Sequence, residues 1–305
     1  MLGLIIVLLK AGTITEVCMA DQKLVKDLDR KALDIRLKLL KLCEQTLIHI
    51  GGDYSVADFM TALWQYAIKY DEKNPRWEGR DRFILSKGHA SAVTSFNQAM
   101  KGCYKDEEIF AEYCTDNGRF GMHSCNLINP YVDLSTGSLG HGLPVAIGTA
   151  QALRMKGNFT NRVYVVVGDG ELDEGTMWEA AAAASHYKLG NLVVFVDHNK
   201  LSFDGPTKEV LNIGNIADRF RLSGWYTLEI NGHDMNSIVD TLDNLPGPDS
   251  RMPIVIVADT VKGYGIDFME NNPAWHAGQI DNATRVKAES DMVAAYEMKW
   301  GEKYV

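Results

Sequence analysis

The chain has 305 residues, of which 46% are hydrophobic and 23% charged, and its formal net charge at pH 7 is -9. This length and composition are ordinary for a soluble globular protein with a full hydrophobic core. The negative balance argues against nucleic acid as the main partner, because phosphate backbones select basic surfaces. It leaves phosphorylated small molecules open, since these need only a local positive or metal-bearing site.

The amino-terminal stretch 2–9 is apolar but far shorter than the roughly 20 residues that cross a bilayer. No positive residue precedes it, so it is also a poor secretory signal. A misassigned start, with Met19 as the true first residue, explains it as well as a disordered or packed tail does. We therefore treat residues 1–20 as a tail and expect no association with a membrane.

The cysteines are odd in number and follow neither a CxxC pattern nor the dense spacing of a disulfide scaffold. Free, buried thiols in a reducing cytosol account for this usage, so we expect a cytoplasmic protein. The five cysteines are Cys18, Cys43, Cys103, Cys114 and Cys125.

The first half of the chain predicts helices around one short strand. Apolar residues recur at three- and four-residue steps from Asp21 to about Leu47, which indicates an amphipathic helix. The paired glycines of residues 49–52 then favour a turn, and Ser55 is placed to cap a second amphipathic helix to Tyr66. Further elements are a strand over 82–85, a helix after Ser91, a glycine-rich loop over 121–142 and a helix over about 143–155.

The second half alternates strands and helices. We predict strands over 163–167 and 192–196 with a helix between them, a strand over 225–230, a helix over 235–245, and a strand over 253–260. The last strand is continuously apolar, which is typical of an interior position in a parallel sheet. No repeat, low-complexity run or linker appears. We expect one α/β domain over residues 21–305, with a parallel sheet flanked by helices.

Polar turns follow two of these strands, at residues 168–170 and 197–199. Two strands joined by such a helix lie parallel, so both turns emerge at the carboxyl edge of the sheet, where open α/β sheets bind ligands. Asp169 and Asn199 stand thirty positions apart (199 minus 169). A carboxylate and a carboxamide suit a Mg²⁺ or Ca²⁺ ion that carries a diphosphate. The alternative is a pair of ordinary turn-forming residues.

The same segments carry a family resemblance. A GDG sequence followed by a helix and a strand that ends in Asn resembles the thiamine-diphosphate-binding motif. EGTMWEA, KLGNLVVFVDHN and FDG resemble its transketolase version, and SKGHAS, STGSLGHGL and VKGYGIDFMENNPAWH agree with it. Together they cover almost all of the chain from Asp21 to about Gly278. The chain is similar to the N-terminal subunit of a split transketolase, which carries the diphosphate-binding domain.

The resemblance implies thiamine diphosphate as cofactor and a divalent metal, Mg²⁺ first, with Ca²⁺ or Mn²⁺ as alternatives. It assigns the metal to Asp169, Asn199 and the backbone carbonyl of Leu201. The loop over 137–140 resembles one that touches the cofactor rings, although a simple helix-entry turn is the alternative. The implied cofactor-binding residues are His89, Gly137, Ser138, Leu139, Gly168, Asp169, Gly170, Glu171, Asn199 and His276.

Four histidines occupy positions that transketolases use around the reacting sugar: His49, His89, His123 and His276. Imidazole can donate to a substrate oxygen or move a proton near neutral pH, so the resemblance gives them catalytic roles. Taken singly, each has the alternative of an ordinary loop or core histidine. Two local departures stand out: His123 lies in FGMHSCN instead of the usual Gly-His-Pro, and His198 replaces an Asn of Asp-Asn-Asn.

Four further charged residues belong to these motifs. Glu174 and Glu179 match positions at which relatives place interfacial carboxylates that link two cofactor sites, and an exposed surface pair is the alternative. Lys87 and Lys262 could meet anionic groups or be ordinary solvated lysines.

The implied reaction transfers a two-carbon ketol unit from a ketose phosphate to an aldose phosphate, as in the pentose phosphate pathway. Such enzymes activate the cofactor with a glutamate on a second, pyrimidine-binding domain. Only about 27 residues follow Gly278, whereas a domain needs roughly 100. We therefore expect a C-terminal transketolase subunit that supplies this glutamate, in an α2β2 heterotetramer.

Three alternatives stay open. The donor could be a modified ketose, for example a sulfonated or deoxy sugar. The chain could be the α subunit of a 2-oxo-acid dehydrogenase, which SKGHAS and PAWH disfavour. It could also be a binding or regulatory protein that keeps the fold without catalysis, against which Asp169, Asn199 and the histidines speak.

Overall fold

The structure is a computed structural model that describes residues 20–304. The apolar stretch 2–9, the alternative start Met19 and Cys18 lie outside that range. From residue 20 to residue 304, no helix is both long and apolar enough to cross a membrane.

A parallel sheet forms the centre of the described chain, as predicted. Its strand order is β1-β2-β3-β5-β4, and every neighbouring pair is parallel. The strand over 253–260 therefore does lie inside the sheet, between β3 and β4. The strands are β1 (Arg82–Leu85), β2 (Val163–Gly168), β3 (Leu192–His198), β4 (Tyr226–Asn231) and β5 (Ile254–Asp259).

Helices cover both faces of the sheet and bury two separate hydrophobic clusters. Alternate residues of one strand enter opposite clusters: Val166 of β2 belongs to one, and Val165 and Val167 belong to the other. This explains why the strands are continuously apolar. The helices are α1 (Gln22–Gln45), α2 (Ile50–Ala62), α3 (Ser91–Lys101), α4 (Asp106–Glu112), α5 (Gly142–Met155), α6 (Gly175–His186), α7 (Thr207–Val210), α8 (Ile216–Leu222), α9 (Met235–Asp243) and α10 (Asn282–Trp300).

The second helix differs from the prediction. It begins at Ile50, five residues before Ser55, and all thirteen of its residues are buried. The prediction of an amphipathic helix capped by Ser55 was therefore wrong. The Ser55 hydroxyl instead donates to the carboxylate of Asp197, 2.7 Å away.

The paired glycines lie inside this helix and do not form the predicted turn. A β-carbon on Gly51 would lie 2.5 Å from the carbonyl oxygen of Trp275. One on Gly52 would lie 3.2 Å from the His89 ring. The glycines therefore serve close approach by distant segments, a requirement that the local sequence pattern does not reveal.

The expectation of buried thiols holds only in part. The four cysteines in the described range are free, and Cys43 and Cys103 are buried. Cys114 is exposed and Cys125 is partly exposed, so the expectation was wrong for these two.

Asp53 of α2 is a fully buried carboxyl group with incomplete hydrogen bonding. Its Oδ1 accepts from the amide of Val93 in the first turn of α3, 3.0 Å away, while Oδ2 has no partner within the described chain. Burial raises the pKa of Asp53 to about 8, although the Val93 amide and the Lys87 ammonium oppose this shift. An unfolded aspartate has a pKa of about 4, so between these two values only the folded state keeps the proton. This group therefore lowers stability as the pH rises.

We expect Asp53→Asn to gain stability over the wild type as the pH rises from about 5 to about 9, because an amide does not ionise. The measurement is the difference in melting temperature at several pH values. It should grow by several degrees, at roughly 2–4 °C for each kcal/mol. Asp116→Asn, at an exposed carboxylate, is the matched control. A difference that stays flat with pH for Asp53→Asn would contradict the assignment.

Candidate active site

The two polar turns meet at the carboxyl edge of the sheet, because β2 and β3 are parallel neighbours. Asp169 follows β2 and Asn199 follows β3, and the two residues are only 3% and 4% exposed. The carboxylate of Asp169 accepts from the amides of Gly170 (2.8 Å) and Lys200 (2.5 Å). Backbone of both turns therefore fixes the Asp169 side chain.

Asp197, the last-but-one residue of β3, is the polar centre of this edge. It is fully buried. Its Oδ2 accepts from the ammonium of Lys87 (2.6 Å), the hydroxyl of Ser55 (2.7 Å) and the side-chain Nδ2 of Asn199 (2.7 Å). Its Oδ1 accepts from the hydroxyl of Thr260. Burial alone would raise the pKa of Asp197, but the Lys87 ammonium and these hydrogen bonds lower it, so the carboxylate is ionised.

These bonds orient the side chain of Asn199. An ionised carboxylate only accepts hydrogen bonds, so the Asn199 amide must turn its nitrogen toward Asp197. Its oxygen then faces the next turn, where it accepts from the amide of Leu201 at 3.0 Å. An amide oxygen has a second lone pair, which leaves it able to bind a cation as well.

The residues predicted to hold a metal form an oxygen-only set, with one carboxylate (Asp169), one amide (Asn199) and one carbonyl (Leu201). Hard divalent cations prefer such oxygens. Burial and the nearby Asp197 raise the pKa of Asp169 to about 7, and a divalent cation would favour its ionised form. Among residues 20–304, no three histidine, cysteine or acidic side chains cluster to hold a metal by themselves. The set therefore fits a cation whose shell is completed by a ligand.

A cavity of about 460 Å³ opens along this edge. A β-carbon added to Gly168, which lines the cavity, would meet no protein atom closer than 3.9 Å. The glycine thus leaves space that a ligand could fill. The predicted site residues that line the cavity are His49, His89, His123, Gly137, Leu139, Gly168, Asp169, Gly170, Glu171, Glu174, Asn199, Leu201 and His276. Ser138 and Glu179 are exposed and do not line it.

The structure brings the four predicted histidines together on one side of this cavity. The centroid of the His49 ring lies 5.4 Å from that of His89, 5.5 Å from that of His123 and 5.3 Å from that of His276. The His89 and His276 rings are also 5.3 Å apart. Residues from four separate loops thus present one imidazole cluster.

The pKa values of all four imidazoles are lowered, which favours their uncharged forms. Burial, then His123 and two nearby ammonium groups, lowers the pKa of His49 to about 4. Burial and Lys262 lower the pKa of His276 to about 3. Burial and Lys87 hold the pKa of His89 well below its usual value, and partial burial lowers that of His123. Neutral imidazoles can each donate from one nitrogen and accept at the other.

Glu171 holds three loops of the site together. Its Oε1 accepts from the Gly140 amide (3.0 Å) and the Ser86 hydroxyl, and its Oε2 accepts from the Gly168 amide (3.1 Å). The carboxylate is buried and bound by protein donors, so it positions these loops. Direct contact between Glu171 and a cofactor stays a prediction.

Two lysines that the sequence left open are part of the site. Lys87 and Lys262 line the cavity and are 1% and 2% exposed. The Lys262 ammonium donates to the carbonyl of Leu201 at 3.1 Å and lies 3.0 Å from Nδ1 of His276. Burial and the Lys87 charge lower the pKa of Lys262 to about 8. Their positions inside SKGHAS and VKGYG were the signal that could have assigned them to the site.

The two predicted interfacial carboxylates behave differently. Glu174 is exposed at the start of α6 and lines the cavity. Glu179 is exposed further along the same helix. Their roles between two cofactor sites stay predictions.

Comparisons with known proteins agree on one family. The family model described as transketolase, thiamine diphosphate binding domain, matches residues 35–299. The chain is 38% identical to one subunit of the apulose-4-phosphate transketolase from Actinobacillus succinogenes, over 82% of this chain and 90% of that protein. It is 34% identical to one subunit of the 6-deoxy-6-sulfo-D-fructose transketolase from Clostridium sp. MSTE9, over 85% and 92%.

A solved structure shows the same relation. The transketolase of Campylobacter jejuni aligns with a TM-score of 0.75 at 25% identity, over 92% of this chain and 48% of that one. This chain thus spans nearly the whole of the two similar subunits but only about half of the solved transketolase.

We expect Lys87→Met to destabilise the protein by about 3–5 kcal/mol, because it leaves the buried Asp197 charge without its cation. Urea unfolding measures the loss. Lys287→Met is the matched control: this ammonium lies 2.8 Å from Asp291, but its side chain is 74% exposed. Exposed helical pairs contribute only about 0.3–0.5 kcal/mol. Equal losses in the free energy of unfolding of the two variants would show that the buried pair contributes no more than the exposed one.

Proposed function

Because the chain belongs to the transketolase family, we propose that it is the subunit of a two-subunit transketolase that binds the metal and diphosphate of thiamine diphosphate. The observation that supports this best is the meeting, around one cavity, of an oxygen-only cation set with four clustered histidines. The relatives are transketolases, so the 2-oxo-acid dehydrogenase alternative is set aside.

Asp169, Asn199 and the Leu201 carbonyl would hold the divalent metal, with Mg²⁺ as the first choice. The open space at Gly168 would admit the diphosphate. Bound thiamine diphosphate supplies a carbon nucleophile that adds to the ketose carbonyl and stores the electron pair when the carbon–carbon bond breaks.

The protein's own part in this chemistry is orientation and proton transfer. The lowered pKa values favour uncharged imidazoles, and in that form each can donate to a sugar hydroxyl or accept its proton without first losing a charge. Because the centroid of the His49 ring lies within 5.5 Å of those of the three other rings, a sugar chain lying against this cluster would meet several of these groups at once. The rings therefore suit a polyhydroxylated substrate.

We further propose that a second subunit completes the site with a pyrimidine-binding domain and an activating glutamate, in an α2β2 complex. The relatives that match over nearly their whole length are named as subunits. Phe203 and Val210 line the cavity yet are 70% and 42% exposed, which fits a mouth that a partner covers. The cytoplasmic location expected from the sequence stays a prediction.

Two kinds of ketose donor are candidates. The first is an ordinary ketose phosphate of the pentose phosphate pathway, with an aldose phosphate as acceptor. The second is a modified ketose, and the names of the two similar subunits, for apulose 4-phosphate and a sulfonated deoxyfructose, favour it. The transferred group is a two-carbon ketol unit in both cases.

We expect Asp169→Asn to weaken magnesium-dependent binding of thiamine diphosphate by about 100-fold or more, because it removes the carboxylate from the metal set. Titration calorimetry of the two-subunit complex, with Mg²⁺ and with a chelator, measures the effect. Asp218→Asn, on the exposed side of α8, should bind like the wild type. Unchanged metal dependence in Asp169→Asn would place the metal elsewhere.

The purified chain alone should not turn over ketose phosphates, whereas the complex with its partner subunit should. Release of the shortened carbonyl product, an aldose or, for the branched apulose 4-phosphate, a ketone, is measured with a pentulose phosphate, apulose 4-phosphate and a 6-sulfonated deoxyhexulose as donors. Turnover by the isolated chain would contradict the need for a partner. Cofactor binding by the complex without turnover of any donor would favour the non-catalytic alternative.

A further inference from the structure

His233, in the turn between β4 and α9, is a buried histidine that the sequence alone gives no functional role. Its side chain is 6% exposed. Its Nε2 accepts from the amide of Val261 at 2.9 Å, and its Nδ1 lies 2.8 Å from Oδ2 of Asp58. A backbone amide can only donate, so Nε2 must be unprotonated and Nδ1 must carry the hydrogen. The two contacts therefore select one tautomer.

Asp58 and Tyr264 hold this imidazole in place. The guanidinium of Arg36 binds both oxygens of Asp58, at 2.6 and 2.7 Å. Although burial alone would raise the pKa of Asp58, Arg36 keeps it below its usual value, so it remains an acceptor. The Tyr264 ring stacks on His233 with centroids 3.6 Å apart and planes 8° apart. Position, plane and tautomer of the imidazole are all determined.

The Val261 amide, which donates its hydrogen bond to His233, belongs to the segment that enters the active site. Three consecutive residues after β5 each make a separate contact: Thr260 with Asp197, Val261 with His233, and Lys262 with the carbonyl of Leu201. The Lys262 ammonium holds the Leu201 carbonyl, which belongs to the metal set. It also lies 3.0 Å from His276.

We propose that His233 is a positioning residue of the cofactor site: it fixes the Val261 amide and thereby places the Lys262 ammonium between Leu201 and His276. This inference rests on the proposed function for its effect on the cofactor. The contact with Val261 itself does not depend on that function. A series of contacts from Arg36 through Asp58 and His233 to Val261, followed along the backbone by Lys262, thus links helices α1 and α2 to the edge of the sheet that carries the proposed metal ligands.

Two substitutions separate the two contacts of the ring. In His233→Gln, the terminal amide reaches the position of Nε2, and its oxygen can still accept from Val261. In His233→Asn, the shorter amide reaches only the position of Nδ1, so it can bond Asp58 but not Val261. Both variants lose the stacked ring and should lose similar thermal stability. His186→Asn, at an exposed histidine of α6, is the surface control.

The first measurement is hydrogen exchange of the segment 260–264 in the two-subunit complex. His233→Asn should exchange the Val261 amide at least about 10-fold faster than the wild type, whereas His233→Gln should stay close to it. The second measurement is calorimetry with thiamine diphosphate and Mg²⁺. Affinity should fall about 10-fold or more in His233→Asn, and His233→Gln should recover most of it.

The outcomes are distinct. Equal effects of the two variants in both measurements, or a larger loss in His233→Gln, would overturn the positioning role. If the wild-type complex does not bind thiamine diphosphate, the proposed function fails, and exchange at Val261 still tests the contact. The two variants could differ in the exchange rate of the Val261 amide and yet bind thiamine diphosphate equally well. In that case His233 anchors the segment without positioning the site, and the inference is wrong.

Discussion

The buried ion pair between Lys87 and Asp197 is the interaction on which the rest of the site depends. Through Asp197, the end of β3 is tied to α2 by Ser55, to the end of β1 by Lys87, and to the end of β5 by Thr260. A buried charge requires such complete pairing, since an unpaired carboxylate would be strongly unfavourable. One carboxylate therefore fixes the relative positions of several segments that carry site residues.

Burial and two nearby lysines together set the electrostatic state of the cavity. Two buried ammonium groups, Lys87 and Lys262, stand beside the imidazole cluster, and their charges oppose protonation of His49, His89 and His276. Lys87 is already paired with Asp197, so Lys262 is the ammonium that can meet an anionic group, and the lowered pKa values of the histidines favour rings that can accept a proton. The separation of these tasks suits a phosphorylated cofactor next to a hydroxylated sugar. It also explains why the net negative charge of the whole chain does not exclude such ligands.

The sequence predicted those parts of the site that local pattern determines. A strand, a glycine turn and a helix place Asp169 at a sheet edge, and the next strand places Asn199 at the same edge, so the positions of both could be predicted without the structure. Ser55 could not, because its partner Asp197 is 142 positions away and its helix starts earlier than the local signals indicate. His233 was missed for the same reason: Asp58 and Val261 meet it only after folding.

The base of the cavity differs from its mouth in how firmly its side chains are held. At the base, Glu171 and Asn199 line the cavity and have hydrogen bonds fixed by protein groups, which suits a cofactor that must be held in one geometry. At the mouth, Phe203 and Asp204 are exposed. On the proposed function, the base would be common to any ketose donor. Discrimination among donors would then depend on the mouth and on the partner that covers it, because only those groups are free to differ in their contacts with the far end of the sugar.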